Sequence, residues 1–272
     1  TLPFLNALNK DKHMTASPQH LTILTGASRG MGLAMARQLL APNRLLLCIS
    51  RQENAELAEQ AKAAGAPLLQ WSQDLADPEA ARERLSAWLQ SLEPAAWHSA
   101  TLINNAGVIP SIGPLGECPA DELARALRVG LEAPMQLSAA FLNVTSGWVH
   151  AGWRGPRKLL NISSGLGRSA MAAQAAYCAA KAGMDHFTRC CALEEAQHPH
   201  GARLVSLAPG VIDTDMQVQL RAGDPAAFPD QQRFVELQRQ GQLTSPDTAA
   251  QRVLAWLERP DFGQQPVADV RD

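Results

Sequence analysis

The sequence LTILTGASRGMGLAMARQLL, residues 21–40, joins a short apolar run to a glycine-rich loop and then to an amphipathic stretch. This order predicts a buried β-strand, a tight turn and an α-helix. Glycine lets the backbone approach a bound group, and the start of a helix offers free N–H groups and a positive dipole end. The loop is therefore predicted to hold the pyrophosphate of a dinucleotide, with a ligand-free turn as the alternative. The predicted phosphate loop consists of Gly26, Ala27, Ser28, Arg29, Gly30, Met31 and Gly32.

The same strand-then-helix order repeats along the rest of the chain. Apolar runs rich in Leu and β-branched residues predict strands at 21–25, 44–49, 67–71, 101–104, 158–162, 203–207 and 266–270. Alanine-rich amphipathic segments predict helices at 31–40, 54–64, 78–91, 120–142, 175–197 and 246–259. Such alternation is typical of βαβ units, whose strands pair in parallel. The predicted fold is α/β, a single doubly wound Rossmann-type domain with a mostly parallel seven-stranded sheet.

Composition narrows the class of protein. The chain has 272 residues, of which 46% are hydrophobic and 18% charged, enough to bury the core of one large domain. A net charge of −2 without blocks of Lys or Arg indicates a small-molecule partner rather than nucleic acid or a membrane. The five cysteines contain no CxxC pair, and the histidines lack metal-ligand spacing. With no signal or spanning segment, these features predict a cytoplasmic protein that has reduced thiols and binds no metal.

Three segments fall outside the regular alternation. The pair His13-Met14 is typical of a cloning junction, so residues 1–13 are predicted to be a leader left from cloning, or disordered, before one domain at 14–272. The Gly- and Trp-rich segment 145–157 is predicted to form a loop. Its Trp148 and Trp153 are expected to be packed aromatics, with stacking on a flat ligand as the alternative. Residues 213–242 are predicted to form a substrate lid, because ligands of doubly wound folds bind beyond the carboxyl ends of the strands.

The end of the second predicted strand bears on the choice of dinucleotide. NAD-binding domains have an acidic residue there that bonds the ribose 2′-hydroxyl, whereas this chain has Ser50-Arg51. A guanidinium forms a bidentate pair with phosphate, and Arg29 of the glycine loop is placed to join Arg51. The sequence therefore favours NADP(H) over NAD(H). The alternative is that both are ordinary surface arginines.

A tyrosine and a lysine, Tyr177 and Lys181, are four residues apart in a predicted helix and project from one face. A nearby cation favours the phenolate, so the pKa of the tyrosine is expected to fall below its usual value of about 10. Tyr177 would protonate a carbonyl oxygen as hydride arrives, and Ser164 would hydrogen-bond the same oxygen. The alternative is that the pair lies on a solvated helix face.

In order and spacing, these motifs resemble the short-chain dehydrogenase/reductase family over nearly all of residues 21–272. The resemblance rests on residues 26–32, on Asn104-Asn105-Ala106-Gly107, on Ser164, Tyr177 and Lys181, and on Pro209-Gly210. It implies that Lys181 also holds the nicotinamide ribose and that Asp74 and Leu75 flank the adenine. It further implies that Asn105, Ala106 and Gly107 lie beside the cofactor. Since the family associates through its long helices, a homodimer or homotetramer is expected.

One residue departs from the family pattern. Many members carry an asparagine in the helix before the catalytic strand, where it helps to hold a water in a proton relay to the lysine. The matching position here is Gly130, which has no side chain for that role. This departure motivates the alternative of a non-catalytic NADP(H)-binding regulator.

The C-terminal third resembles the sepiapterin reductase subfamily at residues 208–217, 237–243 and 267–272. The resemblance implies that the Asp269 carboxylate anchors the amino-pyrimidine of a pterin through two parallel N–H bonds. It implies that Gly210 lines the substrate pocket, where Ser164 and Tyr177 contact the substrate. It also implies closure over the nicotinamide and phosphates by Ile212, Asp213, Thr214, Asp215, Met216 and Gln217.

The substrate prediction follows from these residues. An NADPH-dependent carbonyl reductase is expected, with the side-chain ketone of a pterin such as sepiapterin as its substrate. A broad diketone or aromatic ketone reductase is the nearest alternative, in which Asp269 is a solvated acid near the chain end.

Overall fold

A computed structural model describes residues 19–272, so the predicted leader at 1–13 lies outside the described residues. The strands form one seven-stranded sheet in the order β3-β2-β1-β4-β5-β6-β7, and every pairing is parallel. The doubly wound fold is thus confirmed. The strands are β1 (His20–Thr25), β2 (Arg44–Ser50), β3 (Leu68–Ser72), β4 (Ser99–Asn104), β5 (Arg157–Ile162), β6 (Arg203–Ala208) and β7 (Val267–Asp269).

Helices cover both faces of the sheet, and each face has its own core. On one face Ile23 and Leu47 belong to the same buried cluster as Phe141. On the other face Leu24 and Leu46 pack in a second buried cluster. The alternation of side chains along each strand therefore fills two cores, as expected for strands covered on both sides. The helices are α1 (Gly30–Leu39), α2 (Ala55–Ala63), α3 (Pro78–Gln90), α4 (Ala120–Leu127), α5 (Ala133–His150), α6 (Ala175–Glu195), α7 (Asp215–Arg221), α8 (Gln231–Arg239) and α9 (Pro246–Leu257).

The predicted loop at 145–157 is wrong over its first half, because α5 continues to His150. Trp148 is buried within that helix, and Trp153 is buried beside it with the two rings edge to face at 5.6 Å. The Trp153 Nε1 donates to the carbonyl of Trp97 at 2.6 Å. Both tryptophans are core residues that do not reach the functional cleft, because burial of large aromatic surface outweighs the low helix propensity of the local sequence.

The long predicted helix at 120–142 is divided in the structure. A π-helical turn, Arg128–Glu132, joins α4 to α5. The segment predicted as a lid, 213–242, contains α7 and α8 with a small core of Leu220, Phe228 and Phe234. None of the helices within residues 19–272 combines the length and the apolar character that a membrane crossing requires.

A buried ion pair holds the far end of α6 to the sheet. The Arg157 Nη2 lies 2.8 Å from Glu195 Oε2, with the two side chains 2% and 11% exposed. The same nitrogen donates to the carbonyl of His200, and the Glu195 carboxylate also accepts from the Ala202 N–H at 2.6 Å. Because both charges are removed from water, the loss of one leaves the other without compensation.

We expect Glu195→Gln to lower the free energy of unfolding by about 3 kcal/mol, because Arg157 then remains buried and charged without its partner. Urea unfolding followed by circular dichroism measures the change. Glu194→Gln is the matched control, since Glu194 directly precedes Glu195 in the helix and is exposed. This variant should change the free energy of unfolding by less than about 0.5 kcal/mol. Equal stability of the two variants would show that the pair contributes nothing.

Candidate active site

The glycine loop lies at the carboxyl end of β1 and leads directly into α1. Gly26 and Gly30 have φ values of +72° and +56°, a region that favours glycine. A Cβ on Gly32 would lie 2.0 Å from the carbonyl oxygen of Gly26. These positions therefore require glycine, and the loop leaves its concave side open at the helix start. That cradle suits a pyrophosphate, because the helix start presents free N–H groups.

The loop is braced by the segment that follows β4. Asn105 Nδ2 donates to the carbonyls of Thr25 and Gly26 at 3.0 and 3.2 Å. The Thr25 hydroxyl accepts from the N–H groups of Asn105 and Ala106 at 2.9 and 3.0 Å. The switch point between β1 and β4 thus holds the glycine loop rigidly, at the place where doubly wound folds bind ligands.

A cleft of about 1100 Å³ opens above these strand ends. It brings together every residue predicted for the site except Ala27, which is buried and donates its N–H to Ser50 Oγ at 2.9 Å. The predicted residues on the cleft wall are Gly26, Ser28, Arg29, Gly30, Met31, Gly32, Ser50, Arg51, Asp74, Leu75, Asn105, Ala106, Gly107, Ser164, Tyr177, Lys181, Gly210, Ile212, Asp213, Thr214, Asp215, Met216, Gln217 and Asp269.

Two ion pairs lie along the cleft. Arg29 Nη1 is 2.8 Å from Asp215 Oδ2, so an exposed pair connects the glycine loop to α7. Arg125, which the sequence did not single out, donates to both carboxylate oxygens of Asp74. Burial alone would raise the pKa of Asp74, but bonds from the Ala76 N–H and Arg125, together with the charge of Arg51, hold that pKa below its usual value. Arg51 therefore lies close to Asp74 at the predicted adenine end.

Ser164, Tyr177 and Lys181 converge at the carboxyl end of β5. Ser164 caps the short turn Gly165–Gly167, where its Oγ accepts from the Leu166 N–H at 3.2 Å. Lys181 is 3% exposed, and its Nζ donates to the carbonyl of Ile162 at 2.7 Å. The same Nζ lies 5.7 Å from the centroid of the Tyr177 ring. The helical spacing thus places both side chains of α6 beside Ser164.

The expected direction of the Tyr177 pKa is wrong. Burial raises the pKa of Tyr177 to about 12, and the neighbouring Ser164 hydroxyl opposes that rise. The ammonium of Lys181 bonds the Ile162 carbonyl and lies beside the phenol ring, so burial dominates the pKa of the phenol. Burial also lowers the pKa of Lys181 to about 8, against the attraction of Asp185. At neutral pH the phenol is therefore protonated, the form that donates a proton.

Gly130 lies in the π-helical turn, buried against α6. A Cβ at this position would be 3.1 Å from the Cβ of Ala180, the residue before Lys181. Glycine lets this turn pack closely on the catalytic helix, and a larger side chain would push against it.

The Asp269 carboxylate, predicted to anchor a substrate, is bonded by its own chain. Arg271 Nε donates to Oδ1 and Arg271 Nη2 donates to Oδ2, each at 2.6 Å. These bonds to Arg271 hold the pKa of Asp269 below its usual value, although burial opposes them. Arg271 was not among the predicted residues, and its position two residues after Asp269 is the only sequence signal for this pair.

Comparisons with known proteins all indicate the same family. The family model described as short chain dehydrogenase matches residues 20–225. A benzil reductase that forms (S)-benzoin, from Bacillus cereus, is 34% identical over 89% of this chain and 95% of its own length. A sepiapterin reductase from Meriones unguiculatus is 32% identical over 88% of this chain and 92% of its own. A solved metagenomic short-chain oxidoreductase in complex with NADP superposes with a TM-score of 0.66, at 26% identity over 93% and 96% of the two chains.

The fold and the arrangement of Ser164, Tyr177 and Lys181 define a dinucleotide-dependent class of oxidoreductase. The chain belongs to the short-chain dehydrogenase/reductase family.

Tyr177 is the one tyrosine in the sequence, so the absorbance of tyrosinate reports on it alone. We expect little tyrosinate in the folded protein at pH 10, where a free tyrosine is half ionised, because burial raises the pKa to about 12. The measurement is an ultraviolet pH titration with circular dichroism as the check on folding. In Ser164→Ala the pKa should rise further. Half ionisation at pH 10 in the folded protein would contradict the burial argument.

Proposed function

We propose that this protein is an NADPH-dependent carbonyl reductase that acts on aromatic or vicinal diketones. The observation that carries the proposal is the convergence of Ser164, Tyr177 and Lys181 on the wall of the cleft, with the Lys181 Nζ 5.7 Å from the centroid of the Tyr177 ring. The Tyr177 phenol is placed to give its proton to a carbonyl oxygen that Ser164 holds, and the neighbouring Lys181 cation favours that transfer by stabilising the phenolate. The wall of the cleft also carries apolar side chains that belong to one hydrophobic cluster, namely Ile109, Met171, Met216, Leu220, Phe234 and Leu237.

The cofactor would lie along the strand ends. In this proposal residues 26–32 hold the pyrophosphate, while Arg29 and Arg51 bind a 2′-phosphate and so favour NADPH over NADH. Asp74 and Leu75 border the adenine. Residues 105–107, Lys181 and residues 212–217 surround the nicotinamide half. When bound, NADPH supplies the hydride.

In this proposal, side chains of the protein itself carry out the proton transfer. The Ser164 hydroxyl holds the carbonyl oxygen, and the Tyr177 phenol donates its proton to that oxygen. The phenolate that remains is stabilised by the Lys181 ammonium, which the Ile162 carbonyl fixes beneath the ring.

A diketone is favoured over a pterin by two observations. Both oxygens of the Asp269 carboxylate accept bonds from Arg271, which leaves no free edge for an amino-pyrimidine unless that pair opens. The benzil reductase relative is also slightly more similar to this chain than the sepiapterin reductase relative is. The apolar side chains of the cleft suit the flat apolar rings of a diaryl diketone.

The substrate test compares NADPH oxidation with benzil, a simple aliphatic diketone and sepiapterin. We expect kcat/KM for benzil to exceed that for sepiapterin by at least roughly tenfold, because the pocket is apolar and Asp269 is engaged. Faster reduction of sepiapterin would overturn the diketone assignment. NADPH binding without oxidation by any carbonyl would support a non-catalytic regulator instead.

Two variants separate the chemistry from the substrate choice. Tyr177→Phe should lower kcat by about 10²-fold or more, with all substrates, because the proton donor is lost. Arg271→Ala should bring kcat/KM for sepiapterin closer to that for benzil, because it frees the Asp269 carboxylate. If the ratio of kcat/KM for benzil to kcat/KM for sepiapterin is unchanged in Arg271→Ala, Asp269 does not determine substrate specificity.

The cofactor preference has its own test. We expect Arg51→Asp to weaken NADPH binding by at least ~10-fold and to leave NADH binding nearly unchanged, because a charge that pairs with phosphate becomes one that repels it. Binding is measured by titration calorimetry. Arg82→Asp is the matched control, since it makes the same change of charge at an exposed residue outside the cleft. Equal losses for NADPH and NADH would contradict the role of Arg51.

A further inference from the structure

A buried carboxylate lies one helical turn after Lys181. Asp185 is 1% exposed and Lys181 is 3% exposed, and the spacing of four residues places them on one face of α6. Asp185 Oδ1 accepts from Ser163 Oγ at 2.5 Å and from Ser206 Oγ at 2.7 Å. These lengths are typical of hydroxyl bonds to an ionised carboxylate. The residue is therefore a buried charge that also binds the ends of β5 and β6.

The position of these bonds connects Asp185 to the reacting groups. Ser163 directly precedes Ser164 in the chain, so the bond to Asp185 fixes the backbone from which the Ser164 hydroxyl projects. A Cβ on Gly167 would lie 2.8 Å from Asp185 Oδ2 and 2.9 Å from the carbonyl of Lys181. The turn after Ser164 thus packs directly on this part of α6.

The elements packed against α6 also carry charged groups. Arg168 Nε lies 3.7 Å from Asp185 Oδ2, and that oxygen has no hydrogen-bond partner within the described part of the chain. The elements packed against α6 carry Arg125 of α4, which pairs with Asp74, and Asp269 of β7, which pairs with Arg271. They also carry Arg128 and Glu132 of the π-helical turn, where Glu132 accepts from Gln136, and Asp121 and Glu122 of α4, of which Asp121 is exposed and Glu122 accepts from Ser111. Among residues 19–272, Asp185 is the anion whose attraction acts on Lys181.

We propose that Asp185 is a positioning residue that keeps Lys181 in its charged form and holds Ser164 in place through Ser163. The proposal rests on the proposed function, since it assigns Asp185 a role in that proton transfer. Burial lowers the pKa of Lys181 to about 8, and attraction to Asp185 is the effect that opposes it. Without Asp185 the lysine would lose its proton nearer to neutral pH, and the phenolate of Tyr177 would lack its counter-charge.

The direct test is the pKa of Lys181, measured by NMR on protein with carbon-13 at the lysine ε-position. The chain has few lysines, namely Lys10, Lys12, Lys62, Lys158 and Lys181, and loss of one signal in Lys181→Arg assigns the buried one. We expect Asp185→Asn, which retains an oxygen for both serines, to lower the pKa of Lys181 by about one unit or more.

Two further variants keep the test decisive. Ser206→Ala removes one hydrogen bond but retains the charge, so the pKa of Lys181 should stay at its wild-type value. Asp185→Ser is a smaller neutral replacement that leaves room for water if Asp185→Asn does not fold. An unchanged pKa of Lys181 in the neutral variants, or an equal fall in Ser206→Ala, would overturn the proposal.

The pH profile of turnover supplies the functional measurement. In Asp185→Asn the loss of activity at high pH should begin about one unit lower than in the wild type. A purely structural role would reduce the rate at all pH values without moving the profile, and that result would also overturn the proposal. The NMR titration uses neither substrate nor cofactor. If no diketone is reduced but the pKa of Lys181 still falls, the proposed function fails and the link between Asp185 and Lys181 stands.

Discussion

The hydrogen bond from the buried Lys181 ammonium to the carbonyl of Ile162 is the contact on which the geometry of the site depends. It joins the middle of α6 to the last residue of β5. Ser164 lies two residues beyond that strand end, and Tyr177 lies one helical turn before the lysine. Because the bond fixes helix against strand, it sets the approach of the two hydroxyl groups. A buried ammonium is costly unless it is paired, which ties the charge of Lys181 to this carbonyl and to Asp185.

The strand order places this constellation beside the glycine loop. The order in which strands are added reverses at β1, since β2 and β3 lie on one side of it and β4 to β7 on the other, and Asn105 and Thr25 bond across that switch point. A cofactor along the strand ends would therefore meet the phosphate loop at one end and Lys181 at the other. The segment at 213–242 contacts the glycine loop and the cleft, since Asp215 pairs with Arg29 and Phe234 lies on the cleft wall. The residues proposed to bind the cofactor and those proposed to transfer the proton therefore lie along the same edge of the sheet.

Periodicity was sufficient to predict the sheet and most of the helices, because strands buried on both faces and amphipathic helices have distinct patterns. It failed at 145–150, where contacts among Trp97, Trp148 and Trp153 extend a helix through a glycine-containing segment. The residues of the cleft could be predicted from motifs. The engagement of Asp269 by Arg271 could not, since it depends on the turn after β7. The pKa of Tyr177 depends on burial, which spacing along a helix does not reveal.

The central claim is that Tyr177 supplies the proton while hydride reaches a carbonyl carbon of a diketone. The most direct measurement is the reaction of benzil with NADPH deuterated at the transferred position, followed by mass spectrometry of the product. The wild-type protein is expected to form benzoin that carries deuterium on its alcohol carbon, and Tyr177→Phe is expected to form almost none under the same conditions. Unlabelled product from the wild type, or equal labelling by both proteins, would contradict it.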